Sequence, residues 1–294
     1  MEIAIADEVP ALAEGLANSN YRGGTVDRIW LLAGEGDDGL KFRLFLSKYR
    51  SGGEAFASPR HHHGFQQIRW ADSGSINFGP DQNIPEGDIA YFPKGTYYGP
   101  QVKDGGVSLL LQYGFDAEMP GGSTEDYRNG ELIKTLAKGT TTATGGRFAD
   151  GYYIDKDPVT GEERRRDGGE VMAQATGRNL KIPPERYATP VLMHVEAFGA
   201  YQDGPGVEVR QLGSFFDNTG PEGDLAIRHV KLTDGTYRLT SDRAQIAWTT
   251  SSGLQIDGKT CPRMTSLYSP LGEEALLSGA DGAKMFVLEM PRRI

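Results

Sequence analysis

The stretch PRHHHGFQQ at residues 59–67 places three of the chain's 5 histidines side by side. Residues two apart on a β-strand point to the same face of the sheet, so His61 and His63 are predicted to converge on one ion. A second stretch, PKGTYY at residues 93–98, carries a Pro-x-Gly turn that can fold Tyr98 toward the imidazoles. Together the two stretches predict a β-barrel with a binding site in its mouth.

Both stretches resemble the signature motifs of the cupin superfamily. The first cupin motif reads His-x-His, three or four further residues and Glu, and HHHGFQQ at residues 61–67 has this spacing. The second motif reads Pro-x-Gly-x-x-His, and PKGTYY at residues 93–98 has this spacing too. Two ligand positions differ, since Gln67 stands where the family usually has glutamate and Tyr98 where it usually has histidine. The flanking sequence is similar to that of an unassigned bacterial group of double-cupin, or bicupin, proteins.

The resemblance implies an all-β fold of two cupin-type β-barrels, each a double-stranded β-helix or jelly roll, with a few short helices in the arm and the intervening segment. It also implies a divalent metal ion held by His61, His63 and Gln67. We expect iron(II), with manganese, nickel or zinc as alternatives among which metal availability decides. Tyr98 is either a fourth ligand, which requires its ionisation, or a nearby hydrogen-bond donor or general acid.

Arg69 is a further candidate for the site, because it has the same strand parity as Gln67. On an unbulged strand it faces inward, where it can clamp a substrate carboxylate or enolate. The alternative is a structural salt bridge from Arg69 to Asp72 or Glu86. We therefore assign Arg69, together with Tyr98, to the candidate catalytic residues.

Part of the pattern recurs in the second half of the chain. QIRW at residues 67–70 matches QIAW at residues 245–248, an offset of 245 − 67 = 178. YFPKG at residues 91–95 matches YSPLG at residues 268–272, an offset of 268 − 91 = 177. Either match alone is weak, but the shared offset predicts a duplicated domain.

The second repeat lacks the donors of the first. At the same offset the positions of the two candidate ligand histidines fall on Leu239 and Ser241. We therefore expect the second repeat to be a structural partner without a metal of its own. His194 and His229 are interpreted as core histidines, since no spacing connects them with the site.

Composition agrees with two β domains in one soluble chain. The 294 residues include 40 glycines and 16 prolines, which suit short strands joined by tight turns. The net charge of −9 argues against nucleic acid or an anionic membrane as a partner, since both need a basic surface. The single cysteine excludes an internal disulfide, and the sequence has neither a secretory signal nor a long apolar run. We expect a cytoplasmic homodimer that binds a small-molecule substrate.

We divide the chain into an N-terminal arm at residues 1–24, a first barrel at 25–118, an intervening segment at 119–190 and a second, degenerate barrel at 191–294. The arm is predicted to contain a short helix near residues 9–17. The strands predicted in the first barrel are residues 28–32, 41–49, 65–70, 75–78, 88–92 and 107–113. The intervening segment is predicted to contain a helix from Ser123 or Thr124 to about Lys138, a hairpin of residues 151–155 with 162–166, and a helix at 169–175.

The leading hypothesis is a metal-dependent small-molecule enzyme of the cupin type, with its site in the N-terminal barrel. We favour a dioxygenase acting on a phenolic, enolic or carbonyl compound, because the neutral ligand set resembles that of dioxygenases whose substrate supplies the anion. An isomerase or lyase comes next, with Tyr98 transferring a proton beside a Lewis-acidic ion. A non-catalytic binding barrel and a purely structural bicupin are further alternatives.

Overall fold

The computed structural model describes residues 1–14, 24–35, 39, 41–53, 55–115, 123–129, 146–168, 171, 182–217 and 223–291. These residues form mostly strands, with few and short helices, which confirms the predicted all-β fold class. None of the helices in these residues has the length and hydropathy that a membrane span requires.

The strands of the N-terminal part are β1 (Glu2–Ile5), β2 (Leu12–Glu14), β3 (Val26–Glu35), β4 (Lys41–Tyr49), β5 (Phe56–Ser58), β6 (Gln66–Ser73), β7 (Ile76–Gly79), β8 (Gln82–Ile84), β9 (Ile89–Phe92), β10 (Gln101–Lys103) and β11 (Val107–Tyr113). The middle part contains α1 (Thr124–Arg128), β12 (Arg147–Ala149), β13 (Tyr152–Lys156) and β14 (Glu163–Arg166). The C-terminal part contains β15 (Val191–Met193), β16 (Ala200–Gly204), β17 (Val207–Asp217), β18 (Gly223–Leu232), β19 (Gly235–Leu239), β20 (Gln245–Thr249), β21 (Leu254–Ile256), β22 (Lys259–Cys261), β23 (Thr265–Ser269), β24 (Ala275–Gly279) and β25 (Ala283–Glu289). Single 3₁₀ turns are formed by Ala6–Glu8 and Val195–Ala197.

Asp-Gly pairs close two of the tightest hairpins. Asp150 and Gly151 join β12 to β13, and Asp257 and Gly258 join β21 to β22. All four residues have positive φ, between 47° and 80°. Two consecutive residues with positive φ form a type I′ turn, whose twist matches that of the flanking strands, and Asp-Gly is among the sequences that favour it.

The first barrel is built on a seven-stranded sheet in the order β15-β9-β6-β11-β4-β3-β2, accompanied by the ribbons β10-β5 and β7-β8. Its core contains the buried side chains of Tyr49, Phe56, Phe78, Phe92 and Tyr98. The predicted strands 41–49 and 107–113 have the bounds of β4 and β11. Both are apolar runs that the sheet buries almost throughout, which explains why their ends were legible in the sequence.

The second barrel is built on a seven-stranded sheet in the order β1-β23-β20-β25-β18-β17-β16, accompanied by a four-stranded sheet in the order β19-β24-β21-β22. The two large sheets correspond strand by strand. Gln67 lies opposite Gln112 in the first sheet, and Gln245 lies opposite Glu289 in the second. These pairs are 178 and 289 − 112 = 177 residues apart, so the repeat detected in the sequence is also a repeat in register.

The chain forms two compact units. One comprises residues 11–30 and 43–192, and the other comprises residues 1–10, 31–42 and 193–294. In each large sheet the strand beside β9 or β23 comes from a distant part of the chain. Strand β1 pairs with β23 in the second sheet, and β15 lies beside β9 in the first.

The helix predicted near residues 9–17 of the arm is wrong over the residues that the structure describes. Ala6–Glu8 is a single 3₁₀ turn, and β2 follows it and pairs with β3. The local sequence is compatible with a helix, but the edge of the first sheet offers the backbone hydrogen-bond partners that decide the outcome. Residues 15–17 lie outside the described part.

The intervening segment confirms two predicted features. Ser123 caps α1 in a reciprocal capping box with Asp126. Strands β13 and β14 pair as the predicted hairpin, in which Arg164 and Arg166 bind the buried Asp155. Although burial raises it, these hydrogen bonds hold the pKa of Asp155 below its ordinary value. The predicted continuation of α1 to Lys138 and the helix at 169–175 lie outside the described residues.

Candidate site in the first barrel

The second motif folds back onto the first through backbone hydrogen bonds. His61 and Tyr98 exchange two such bonds of 3.0 Å, and Gly95 donates its amide to the carbonyl of His63 at 2.9 Å. Residues 61–65 are not part of a strand, because β6 begins at Gln66. The alternation argument for the histidines therefore rested on the wrong local structure, although the expected fold-back is present.

The imidazoles of His61 and His63 lie next to each other, with ring centroids 5.0 Å apart. His61 is buried, and its Nδ1 lies 2.6 Å from the carbonyl oxygen of Pro59. Because a carbonyl only accepts, Nδ1 carries the hydrogen and Nε2 keeps a free lone pair. Metal-binding histidines commonly show this arrangement, since the backbone bond fixes the tautomer and the ring orientation. The ring of His63 is held by stacking on Phe65 at 4.3 Å.

The third histidine belongs to a separate cluster. His62 stacks on Tyr97 at 4.0 Å, and the guanidinium of Arg60 lies 3.7 Å from the centre of the same ring. The Nδ1 of His62 lies 3.3 Å from the carbonyl oxygen of Gly95. These contacts orient His62 away from the other two imidazoles, as the sequence predicted.

Tyr98 and Arg69 lie together beside the histidine pair. The ring of Tyr98 is 4.4 Å from that of His61, and its hydroxyl accepts a hydrogen bond from Arg69 at 3.1 Å. Arg69 is buried, donates to Gln101 at 2.7 Å and lies over the ring of Phe92. Within the described residues it contacts no carboxylate, so the alternative of a salt bridge to an acidic neighbour is not observed.

The side chain of Gln67 is enclosed by hydrogen-bond donors. One end of its amide lies 2.6 Å from Nε2 of Gln112, and the other lies 2.7 Å from Nε of Arg69. Gln112 in turn accepts from Nε of Arg43 at 2.6 Å. Gln67 is therefore a hydrogen-bonded amide between two neighbours, and its role as the third metal ligand stays a prediction.

A divalent ion fits the two imidazoles better than the other candidate ligands. The His61 tautomer and the neighbouring His63 ring suit a metal. The hydroxyl of Tyr98 and the amide of Gln67 both contact Arg69, whose positive charge repels a nearby cation. Within the described residues no group of three or more His, Cys, Asp or Glu side chains could hold a metal. The remaining coordination positions would thus be left to water or a ligand.

Lys103 and Tyr49 are functional candidates that the sequence reasoning missed. Lys103 is buried and donates to the hydroxyl of Tyr49 at 3.1 Å. Burial lowers the pKa of Lys103 to about 7. Although burial raises it, the charges of Lys103, Arg28 and Arg69 lower the pKa of Tyr49 to about 7. The alternation of β10, which places Lys103 on the same face as Gln101, is the signal that could have found this pair.

The interior of the second barrel is different. Its buried core is apolar and includes Leu239, at the position that corresponds to a histidine of the first barrel. Gln245 donates to the carbonyl of Thr240 at 3.0 Å, whereas the corresponding Gln67 faces an arginine. His229 is also buried here, and burial lowers its pKa to about 4, so that it is neutral at pH 7.

No protein-family model matches this sequence, and no curated protein resembles it in sequence. Among solved structures, the chain is similar to a Nostoc punctiforme protein with a proposed dioxygenase activity, at a TM-score of 0.58 and 11% identity over 100% of this chain and 83% of that one. It is similar to Bacillus subtilis oxalate decarboxylase, at a TM-score of 0.53 and 12% identity over 100% and 78% of the two chains. It is also similar to the E. coli protein YlbA, at a TM-score of 0.53 and 12% identity over 99% and 91%. The Bacillus enzyme has Mn(II) centres. At these identities the likeness establishes a shared fold.

Proposed function

We propose that this chain, which has the double-cupin fold of those structures, is a metal-dependent small-molecule enzyme with its site in the first barrel. Within that class we propose an oxidoreductase of the dioxygenase type that acts on a phenolic, enolic or carbonyl compound. The observation that carries the proposal is the pair of imidazoles, His61 and His63, of which His61 is held in a metal-binding tautomer by Pro59.

In this proposal His61 and His63 hold a divalent ion. A bound ion supplies Lewis acidity toward a substrate oxygen and, for iron or manganese, redox chemistry with dioxygen. The proximity of Arg69 argues for an anionic substrate, because the guanidinium can bind an enolate or carboxylate and offset its charge. Tyr98 is held by its hydrogen bond from Arg69, where it can exchange a proton with the bound compound.

A non-catalytic bicupin that binds small anions is the second candidate. It is favoured by one observation, namely that the oxygens of Gln67 and Tyr98 lie among donors of Arg69 and Gln112. An isomerase or lyase uses the same residues without dioxygen, so measuring oxygen uptake separates it from a dioxygenase.

Metal analysis of protein purified without an affinity tag tests the proposal. We expect about one iron, manganese, nickel or zinc ion per chain. The metal-loaded protein is then offered catechols and β-dicarbonyl compounds while dissolved oxygen is recorded. Protein that takes up no metal after incubation with each of the four ions would favour the non-catalytic candidate. Metal-loaded protein that converts a compound without oxygen uptake would favour the isomerase or lyase.

We further propose a cytoplasmic homodimer. Strand β16 forms an edge of the second sheet, and four of its five residues are exposed, so a second copy can cover it. Light scattering is expected to return about 64 kDa, twice the chain mass of 32.0 kDa. A value near 32 kDa at micromolar concentration would contradict the dimer.

A further inference from the structure

Two buried cations in the first barrel have neutral partners. Arg69 and Lys103 are each only 4% exposed. Arg69 donates to Gln101 and Tyr98, and Lys103 donates to Tyr49. Within the described residues neither cation contacts a carboxylate. Buried charges in proteins are normally paired with an opposite charge, because desolvation of an unpaired ion is costly.

The amides next to Arg69 are one acceptor short. Arg43, Gln112, Gln67 and Arg69 form a row with three successive contacts. Both ends of the row are guanidinium groups, which only donate, and each of the two amides between them has a single oxygen. Three contacts therefore share two acceptors. Whichever way each amide is turned, one contact in the row brings two donors together.

The second barrel shows how the same part of the fold is completed by an anion. Its counterpart of Gln112 is Glu289, a carboxylate that binds Arg228 and lies 3.7 Å from Arg243. The second barrel thus contains its own negative charge between two arginines. The first barrel has an arginine at each end of its row and only amides between them.

The surroundings of Tyr49 indicate the same excess of positive charge. The phenol is buried, which by itself raises its pKa, yet neighbouring cations lower the value to about 7. Lys103 is nearest, with Arg28 and Arg69 also contributing. An interior that favours a phenolate in this way also favours a bound anion.

We propose that the first barrel binds a small carboxylate, whose oxygens supply the missing acceptor beside Arg69 and Gln67 and whose charge is balanced by Arg69 and Lys103. Binding rests on these side chains and needs no metal ion. As the substrate class of the enzyme, the inference rests on the proposed function. A dicarboxylate of three or four carbons has the two charges that two cations can balance.

Titration calorimetry on chelator-treated protein tests the inference, with malonate as the probe and uncharged malonamide as its control. Malonate is expected to bind and malonamide is not. Lys103→Met, which keeps the length of the side chain and removes its charge, is expected to weaken malonate binding by about 30-fold or more. Equal binding of malonate and malonamide, or preference for inorganic phosphate over malonate, would overturn the carboxylate assignment.

Gln67→Glu supplies the missing acceptor from within the protein. It is expected to raise the melting temperature without added ligand and to weaken malonate binding by about 30-fold or more. The matched control is Gln245→Glu, in the corresponding position of the second barrel, which should bind malonate like the unaltered protein. If Gln67→Glu binds malonate unchanged, the inference is wrong, even where Lys103→Met does not fold.

The two proposals fail in different ways. Malonate that binds only after a metal is restored would overturn the anion site and leave the metal enzyme standing. Protein that binds malonate but takes up no metal would support the anion site and remove the enzyme. Both arms use the whole chain, so no isolated barrel has to fold.

Discussion

The two barrels have the same order of strands and different interiors. In the first, inward positions of β6, β10 and β11 carry Gln67, Arg69, Lys103 and Gln112, all buried. In the second, the corresponding sheet encloses an apolar core, and the space beneath β20 is lined by Leu, Ile, Met, Trp, Ala and Thr side chains. The strand order is therefore set by features that both halves share, such as turns and apolar strands. The chemistry is set by a few inward positions that can change without altering that order.

The comparison is tested most strongly by removing the histidine pair. We expect the double variant His61→Ala, His63→Ala to lose the bound metal, from about one ion per chain to less than about a tenth, because no other described donor group replaces it. Elemental analysis measures the loss, and circular dichroism checks that the fold is kept.

The matched control for the histidine pair is His229→Leu in the second barrel, which should keep its metal. Full metal occupancy in the double variant would show that the site lies elsewhere. Loss of metal in His229→Leu would show that the second barrel is not the inert partner that its interior suggests.

Glutamate should have opposite effects at the two corresponding glutamines. Gln245→Glu is expected to lower the free energy of unfolding by about 2 kcal/mol, because a carboxylate would face the carbonyl of Thr240. Gln67→Glu is expected to raise it by about 1 kcal/mol, since the new carboxylate meets Arg69 and Gln112. Urea denaturation at pH 7 compares the variants. Destabilisation of similar size at both positions would contradict the difference in charge between the interiors.

The buried histidine of the second barrel should make that barrel sensitive to acid. The pKa of His229 is about 4 in the folded state against 6.5 ordinarily, so between these values the unfolded chain binds the proton and the folded chain does not. Stability is therefore lost as pH falls through this window, by about 2 kcal/mol between pH 7.5 and 5. His229→Leu should remove this part of the loss. Parallel pH profiles for the two proteins would refute the assignment.

Tyr98→Phe should have the smallest effect on metal content. If Tyr98 is a proton donor, metal occupancy stays within about a tenth of the original. The free energy of unfolding should fall by about 1 kcal/mol, because Arg69 loses one acceptor. Elemental analysis and urea denaturation are again the measurements. Depletion of the metal would instead identify Tyr98 as a ligand.

The sequence predicted the features that depend on local patterns. The repeat and the bounds of β4 and β11 were legible because apolar runs and their spacing reflect burial directly. The arm was wrong because β2 is fixed by pairing with β3, which a single segment does not encode. The histidine pair was placed correctly for the wrong reason, since a backbone bridge to Tyr98 and not strand alternation brings the rings together. Lys103 was missed because its burial depends on where the short β10 lies.

The pairing of β1 with β23 has a consequence for how the chain is made. Ile5 lies opposite Thr265, a separation of 265 − 5 = 260 residues. At ordinary rates of translation, about 5–20 residues per second, the first strand leaves the ribosome tens of seconds before its partner exists. Throughout that interval its backbone groups face water or other chains. The earliest segment to be synthesised is thus among the last to be incorporated, and a nascent chain stalled before residue 265 would keep an open strand that favours aggregation.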